Sequence, residues 1–171
     1  MNNMSQVWSE YNKIVNVMNP AEHADSSGPT SDIVDMENYK KCTFLVQTGA
    51  TAANTPIITV LSGVSNASAA TATAFNYRTQ VKATDCTSSS GDVPSALTAA
   101  TSAGFTMTTA KVGGCYIIEV DAPTVAAAGT NYDHICLKFS TGATHAAHIY
   151  GVMAVLSEPR YPQAILDTAI G

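Results

Sequence analysis

Charge is the scarcest property of this sequence. Lys, Arg, Asp and Glu make up 12% of its 171 residues, which is about half the share of an average globular protein. The formal net charge is −5, and the densest basic spot is Lys40-Lys41. Because binding to phosphates requires clustered Lys and Arg side chains, we expect no nucleic-acid partner.

Long apolar runs and export signals are also missing. No window holds the roughly 18–20 apolar residues of a membrane-spanning helix. The first residues, MNNMSQVWSEYNK, contain no basic region followed by an apolar core, so we predict no signal peptide. We therefore expect synthesis in the cytoplasm and no membrane partner.

Motifs that carry chemistry are missing as well. The chain has no CxxC pair, no GxSxG nucleophile elbow and no glycine-rich phosphate loop, so neither a zinc knuckle nor these common active sites is indicated. We expect no catalytic residue, no cofactor, no small-molecule substrate and no enzymatic activity. The cysteines are widely spaced, and we interpret them as free thiols that act as small buried hydrophobic side chains. They are Cys42, Cys86, Cys115 and Cys136.

Two histidine patterns come closest to a site. His145 and His148 lie three residues apart in THAAH, but the helical zinc motif needs a glutamate between its histidines, and here both intervening residues are alanine. His134 follows Asp133. Because adjacent side chains of a strand point to opposite faces, we predict that this pair has a role at the end of a sheet and does not act as an acid–base pair. No metal site is predicted.

The sequence does contain a series of strand-like segments, separated by turn signals. The absence of alternating helices argues against an α/β fold. We therefore predict an all-β fold, an antiparallel β-sandwich of jelly-roll type with about eight strands. The segments are DIVDM (32–36), KCTFLVQTG (41–49), PIITVLSGV (56–64), ATAFNYRTQV (72–81), FTMTTA (105–110), CYIIEVDA (115–122), HICLKFS (134–140) and AHIYGVMAVLSEP (147–159).

The N-terminal region is predicted to be an amphipathic helix or arm over residues 5–18, ended by Asn19-Pro20. It packs either on its own domain or on a neighbouring subunit, and we expect deletion of residues 1–20 to leave the sandwich folded. One face of the helix would hold Val7, Trp8, Tyr11, Ile14, Val15 and Met18. The predicted division is arm 1–19, linker 20–31, sandwich domain 32–159 and C-terminal tail 160–171.

Several segments together show a characteristic layout: an opening strand with Asp-Met, a Tyr-Lys-Lys-Cys turn into a strand, and a terminal Leu-Ser-Glu-Pro-Arg-Tyr. In this layout the sequence resembles small proteins from the structural gene clusters of tailed bacteriophages. The similarity covers roughly residues 27–161. It implies a virion structural protein, foremost a capsid decoration (cement or head) protein, made in the host cytoplasm and located on the capsid. The segments are SSGPTSDIVDMENYKKCTFLVQTGA, YIIEVDA, NYDHICLKFS and GVMAVLSEPRY.

Such a protein would bind the major capsid protein and copies of itself, as a trimer or dimer, and would stabilise the head. A surface with few ions costs little to desolvate, which suits contact with many neighbours. We predict that the contacts come from the arm and the tail. The predicted contact residues are Val7, Trp8, Tyr11, Ile14, Arg160, Tyr161 and Ile165.

Two alternative functions remain open. A tail-tube or head–tail connector protein would also be a virion component, but it would assemble into rings. A carbohydrate-binding β-sandwich module would need exposed aromatic side chains near a loop, and Tyr132 and Tyr150 are the candidates.

Overall fold

The computed structural model describes residues 8–23, 28–49, 56–80, 93–107, 114–140, 148–160 and 169–170. These residues form mostly β-strands, together with two short helices. In chain order the elements are α1 (Trp8–Tyr11), β1 (Asn12–His23), β2 (Val34–Asp35), β3 (Tyr39–Thr48), β4 (Ile57–Ser65), β5 (Ser68–Thr73), β6 (Phe75–Gln80), β7 (Thr98–Ala100), β8 (Phe105–Thr106), β9 (Cys115–Asp121), α2 (Ala122–Ala128), β10 (His134–Ser140) and β11 (His148–Pro159).

The strands form two sheets in which every pairing is antiparallel. Sheet A has the order β1-β11-β3-β9-β6-β7. Sheet B has the order β2-β10-β4-β5, and β8 also pairs with β4. The predicted all-β, antiparallel fold class is therefore confirmed.

The inner faces of the two sheets share one hydrophobic core. Alternate residues of each strand point inward, as in Cys42, Phe44 and Val46 of β3. Aromatic rings join the sheets: Phe139 of sheet B stacks on Tyr150 of sheet A with ring centroids 4.2 Å apart. This face-to-face packing is the arrangement of a β-sandwich.

The helix predicted over residues 5–18 is wrong for residues 12–18. A single helical turn, Trp8–Tyr11, is followed by β1, which pairs with β11 across Asn12–His23. The segment is rich in β-branched side chains, and Val15 and Val17 point into the core at the spacing of a strand. Deleting residues 1–20 would therefore remove most of a sheet strand, so the structure now predicts that this deletion destabilises the sandwich.

Two further elements differ from the predicted segments. The strand predicted over residues 72–81 is two strands, β5 in sheet B and β6 in sheet A, with Ala74 between them. Helix α2 lies where no element was predicted, and a proline in its first turn suits the start of a helix. Neither helix in the described part of the chain has the length and apolarity needed to cross a lipid bilayer.

Candidate interaction surface

Apolar side chains form a continuous patch on the outer face of sheet A. Directly paired residues of antiparallel strands carry their side chains on the same face. Ile14 pairs with Val155, while Met153 pairs with Leu45, which pairs with Ile117. These five residues are called the outer patch below. Ile14 is 55% exposed and Met153 46% exposed, and the other three are half-buried.

The outer patch exists because β11 is apolar on both of its faces. Tyr150, Val152 and Leu156 point into the core, whereas Met153 and Val155 point outward. A strand with one face in water normally alternates apolar with polar residues. The pattern of β11 is instead typical of a strand that is covered on both sides, although this chain covers only the inner one among its described residues.

Exposed apolar residues concentrate at this part of the molecule. Five of the nine large hydrophobic side chains that are exposed in the described ranges belong to α1, β1 and β11. Large apolar patches rimmed by polar residues mark binding surfaces. The five are Trp8, Tyr11, Ile14, Ile149 and Met153.

Polar side chains border the outer patch. Lys41 Nζ lies 4.0 Å from Asp121 Oδ1, and Glu119 pairs with Thr43 in the neighbouring strand. On the far side, Arg78 donates a hydrogen bond of 3.0 Å from Nη1 to the carbonyl oxygen of Ser95. An apolar centre with a polar rim is the usual composition of a protein–protein interface.

The free edge of sheet A at β1 is poorly suited to pairing with another strand. The register of β1 against β11 shifts twice, between Asn16 and Met18 and between Met18 and Ala21. Pro20 lies inside the second irregularity, and the Asp32 amide donates to the Val17 carbonyl oxygen at 2.8 Å. Bulges, proline and covering loops all protect an edge strand. Contact through the face of the sheet is therefore favoured over contact through this edge.

The predicted contact residues divide into two groups. Trp8, Tyr11, Ile14 and Arg160 are exposed. The Arg160 amide donates to the Asn38 carbonyl oxygen at 2.8 Å. The other predicted contacts lie outside the described residues. They are Val7, Tyr161 and Ile165.

The sequence reasoning missed four members of the outer patch. Leu45, Ile117, Met153 and Val155 come from three different strands, and their proximity depends on the register of the sheet. A partial signal was present, because strands such as IYGVMAVL are apolar at odd and even positions alike. That pattern indicates burial on both faces but does not identify the partner.

Tyr132 and Tyr150 do not provide the surface expected of a carbohydrate-binding module. Tyr150 is 1% exposed and packs in the core against Phe139. Tyr132 is half-buried, and its hydroxyl lies 2.9 Å from the Thr71 Oγ1. Sugar binding needs an aromatic face open to solvent, so the structure contradicts the proposed role of Tyr150 and leaves Tyr132 engaged in packing.

The expectation that Asp133 and His134 point apart is wrong. A short hydrogen bond joins His134 Nδ1 to Asp133 Oδ1. Asp133 precedes β10 and is not part of the strand, so the alternation rule does not apply to it. His148 pairs with His23 through the backbone of β1 and β11, and His145 lies outside the described residues.

Three cysteines in the described ranges are free thiols, as the sequence indicated. Cys42 and Cys136 are buried, and Cys115 is half-buried on the outer face of sheet A. Burial raises the pKa of all three thiols, that of Cys136 to about 11. They are therefore protonated, inert side chains near neutral pH. Cys86 lies outside the described residues.

No family model, no curated protein and no solved structure matches this chain. Function is therefore inferred from the geometry of the chain itself. Of the features above, the outer patch is the one whose composition indicates a partner, because it joins exposed apolar side chains to a polar rim on a sheet with a protected edge.

Proposed function

We propose that this chain is a structural virion protein of a tailed bacteriophage, a capsid decoration protein that binds the major capsid protein through the outer patch. The observation that carries the proposal is the apolar outer face of sheet A, where Ile14 and Met153 are about half exposed. Burying apolar surface contributes roughly 25 cal/mol per Å². The low content of ions adds little opposing desolvation cost, so the face suits a lasting contact.

The strand order supports a second part of the proposal, that the sandwich is a jelly roll. Setting aside β6, β7 and β8 and renumbering the other eight strands gives the orders 1-8-3-6 for sheet A and 2-7-4-5 for sheet B. Two interlocked Greek keys produce this order. Jelly rolls occur in viral capsid proteins, and also in lectins and cupins, so the fold agrees with a virion role without specifying it.

The predicted arm and tail contacts extend the outer patch at one end. Asn12 of β1 pairs with Ser157 of β11, and α1 contacts β11 at this end. Trp8, Tyr11 and Arg160 therefore lie near the same end of the β1–β11 pair. Together with the outer patch they offer an elongated surface to the major capsid protein or to another copy of the chain. Dimers or trimers about a local symmetry axis are the expected assemblies.

The test is a binding assay with capsids assembled without this protein. Wild-type chain and an Ile14→Glu, Met153→Glu double variant are mixed with capsids, and the bound fraction is measured by sedimentation. Two buried charges placed at the centre of an interface should weaken binding at least about tenfold. The matched control is Ala72→Glu with Thr106→Glu, which adds the same charge to exposed positions of sheet B and should bind like wild type.

Three results would contradict the proposal. Wild-type chain that does not bind capsids would remove the decoration role. Equal loss in both double variants, with circular dichroism showing that both are folded, would remove the outer patch as the contact face. Rings of six or twelve copies in native mass spectrometry, with no capsid binding, would instead favour a tail-tube or connector protein.

A further inference from the structure

We propose that Asp35, Asp133 and His134 form a divalent-cation site on the outer face of sheet B. Each side chain offers a donor atom, and the three donor atoms lie within 4.8 Å of one another. All three residues are half-buried. The site is separate from the outer patch of sheet A and does not depend on the function proposed above.

The backbone places the three side chains on one side of the sheet. Asp35 of β2 pairs directly with His134 of β10, so both side chains share a face. Asp133 immediately precedes β10, and its carbonyl oxygen accepts a hydrogen bond of 2.8 Å from the Met36 amide. Its own amide donates to the Gly63 carbonyl oxygen at 3.2 Å. The donors are thus held by β2, β10 and β4 before any ion binds.

The cluster carries an excess of negative charge. Two carboxylates face one imidazole, and no Lys or Arg within the described ranges forms a salt bridge with Asp35 or Asp133. Metal ligands must be deprotonated, so an ion would displace the proton that His134 Nδ1 and Asp133 Oδ1 share in their short hydrogen bond. The two carboxylates would then balance the charge of one divalent cation. Asp35 Oδ1 accepts a hydrogen bond of 2.7 Å from the Glu37 amide, which orients the carboxylate and leaves its second oxygen for an ion.

The donor set indicates which ions fit. An imidazole nitrogen with two carboxylate oxygens suits Zn²⁺ or Mn²⁺, whereas Mg²⁺ and Ca²⁺ prefer oxygen ligands alone. Three protein ligands leave the remaining positions to water. Because β2 has two residues and lies at the edge of sheet B, an ion shared between Asp35 and His134 would fasten this edge strand to β10.

The test uses the full chain after treatment with EDTA and dialysis. Zn²⁺ and Mn²⁺ are titrated separately, the affinity is measured by isothermal titration calorimetry, and thermal unfolding is followed at saturation. An ion at about 100 times its Kd should raise Tm by about 5–10 °C. Mn²⁺ is the decisive probe because thiolates favour Zn²⁺ and could bind it elsewhere.

The variants Asp35→Asn and Asp133→Asn keep the side-chain volume and remove one negative charge each, and His134→Phe keeps a ring of similar shape while removing both nitrogen donors. Each should lower the affinity for Mn²⁺ at least about tenfold. Asp121→Asn on sheet A is the matched control and should bind like wild type. The Ile14→Glu, Met153→Glu variant should also retain the ion, which separates this proposal from capsid binding. Absence of a Tm shift with either ion, or unchanged Mn²⁺ affinity in the three variants, would overturn the proposal.

Discussion

The outer face of sheet A presents Ile14 and Met153, which are about half exposed. The outer face of sheet B presents the polar residues Thr59 and Lys138, and its apolar residues Ile57 and Leu61 are half-buried. The inner faces of the two sheets do not differ in this way, because both supply fully buried aliphatic and aromatic side chains to the same core. Folding requires the inner faces to be apolar but places no such demand on the outer ones. The fold therefore does not require the apolar outer face of sheet A, and the proposed capsid contact rests on this face.

The largest expected effect tests the equivalence of the inner faces. Phe44 of sheet A and Phe139 of sheet B are both fully buried. Phe44→Ala and Phe139→Ala should each lower the free energy of unfolding by about 3–5 kcal/mol, because each leaves a cavity in the shared core. Urea unfolding measures both values. A near-zero cost for one of the two would show that the sheets do not contribute equally to the core.

One glycine in each sheet shows how closely the neighbouring chain segment approaches the strand. A Cβ at Gly63 of sheet B would lie 1.9 Å from the Ser68 carbonyl oxygen, whereas a Cβ at Gly151 of sheet A would lie 2.9 Å from Pro20 Cγ. Gly63→Ala should cost about 3 kcal/mol and Gly151→Ala about 1 kcal/mol, because a paired backbone yields less than a proline ring on an edge strand. Thermal unfolding of both variants measures the two costs. A larger loss of stability for Gly151→Ala than for Gly63→Ala would contradict the prediction.

The pH dependence of stability at alkaline pH can be compared for one thiol in each sheet. Burial raises the pKa of Cys136 in sheet B to about 11. Partial burial also raises the pKa of Cys115, which lies on the outer face of sheet A. The protonated thiol is favoured in the folded state, so stability is fully present below about pH 8.5 and falls as the unfolded thiol ionises above it. With the folded pKa of Cys136 at about 11 and the unfolded one at about 8.5, the loss at pH 10 should be about 2 kcal/mol.

The measurement is urea unfolding at pH 8 and pH 10. Wild type should lose more stability between the two pH values than Cys136→Ala does, whereas Cys115→Ala should behave more like wild type. A Cys136→Ala variant with an unchanged pH dependence would show that this thiol does not ionise differently in the two states.

The smallest expected effect concerns the polar rim of the outer patch. Lys41 and Asp121 lie 4.0 Å apart with side-chain exposures of 36% and 52%, so solvent screens their attraction. Lys41→Met should change the free energy of unfolding by no more than about 0.5 kcal/mol. A change above about 1.5 kcal/mol in urea unfolding would mean that the rim supports the fold and is not simply the border of a binding surface.

Local patterns within single segments made most of the fold predictable. The segments around Phe44, Ile118 and Leu137 are strand-like in sequence and bounded by turn signals, and the structure contains strands at all three. The same reasoning failed for β1, because its residues Val15 and Met18 also fit a helical spacing with Trp8 and Tyr11 of α1. Pairing with β11 decides between the two periods, and a single segment does not contain that information.

The candidate sites were harder to predict because they combine distant parts of the chain. Leu45, Ile117 and Met153 become neighbours through the register of three strands. Asp35 and His134 meet across a two-residue strand that only the pairing defines. Residues such as Ile14 could be selected as exposed contacts from sequence, but for a helical face that the structure does not contain.

The interrupted margin of β1 also limits how copies of the chain could accumulate. Apolar proteins held at high local concentration tend towards fibres when a straight outer strand can act as a template for the next molecule. Here Pro20 and the two irregularities leave no such template on that side. On this side of the molecule, a neighbouring chain would instead meet the outer face of sheet A. One partner can fill that face, which favours a fixed stoichiometry over an open-ended polymer.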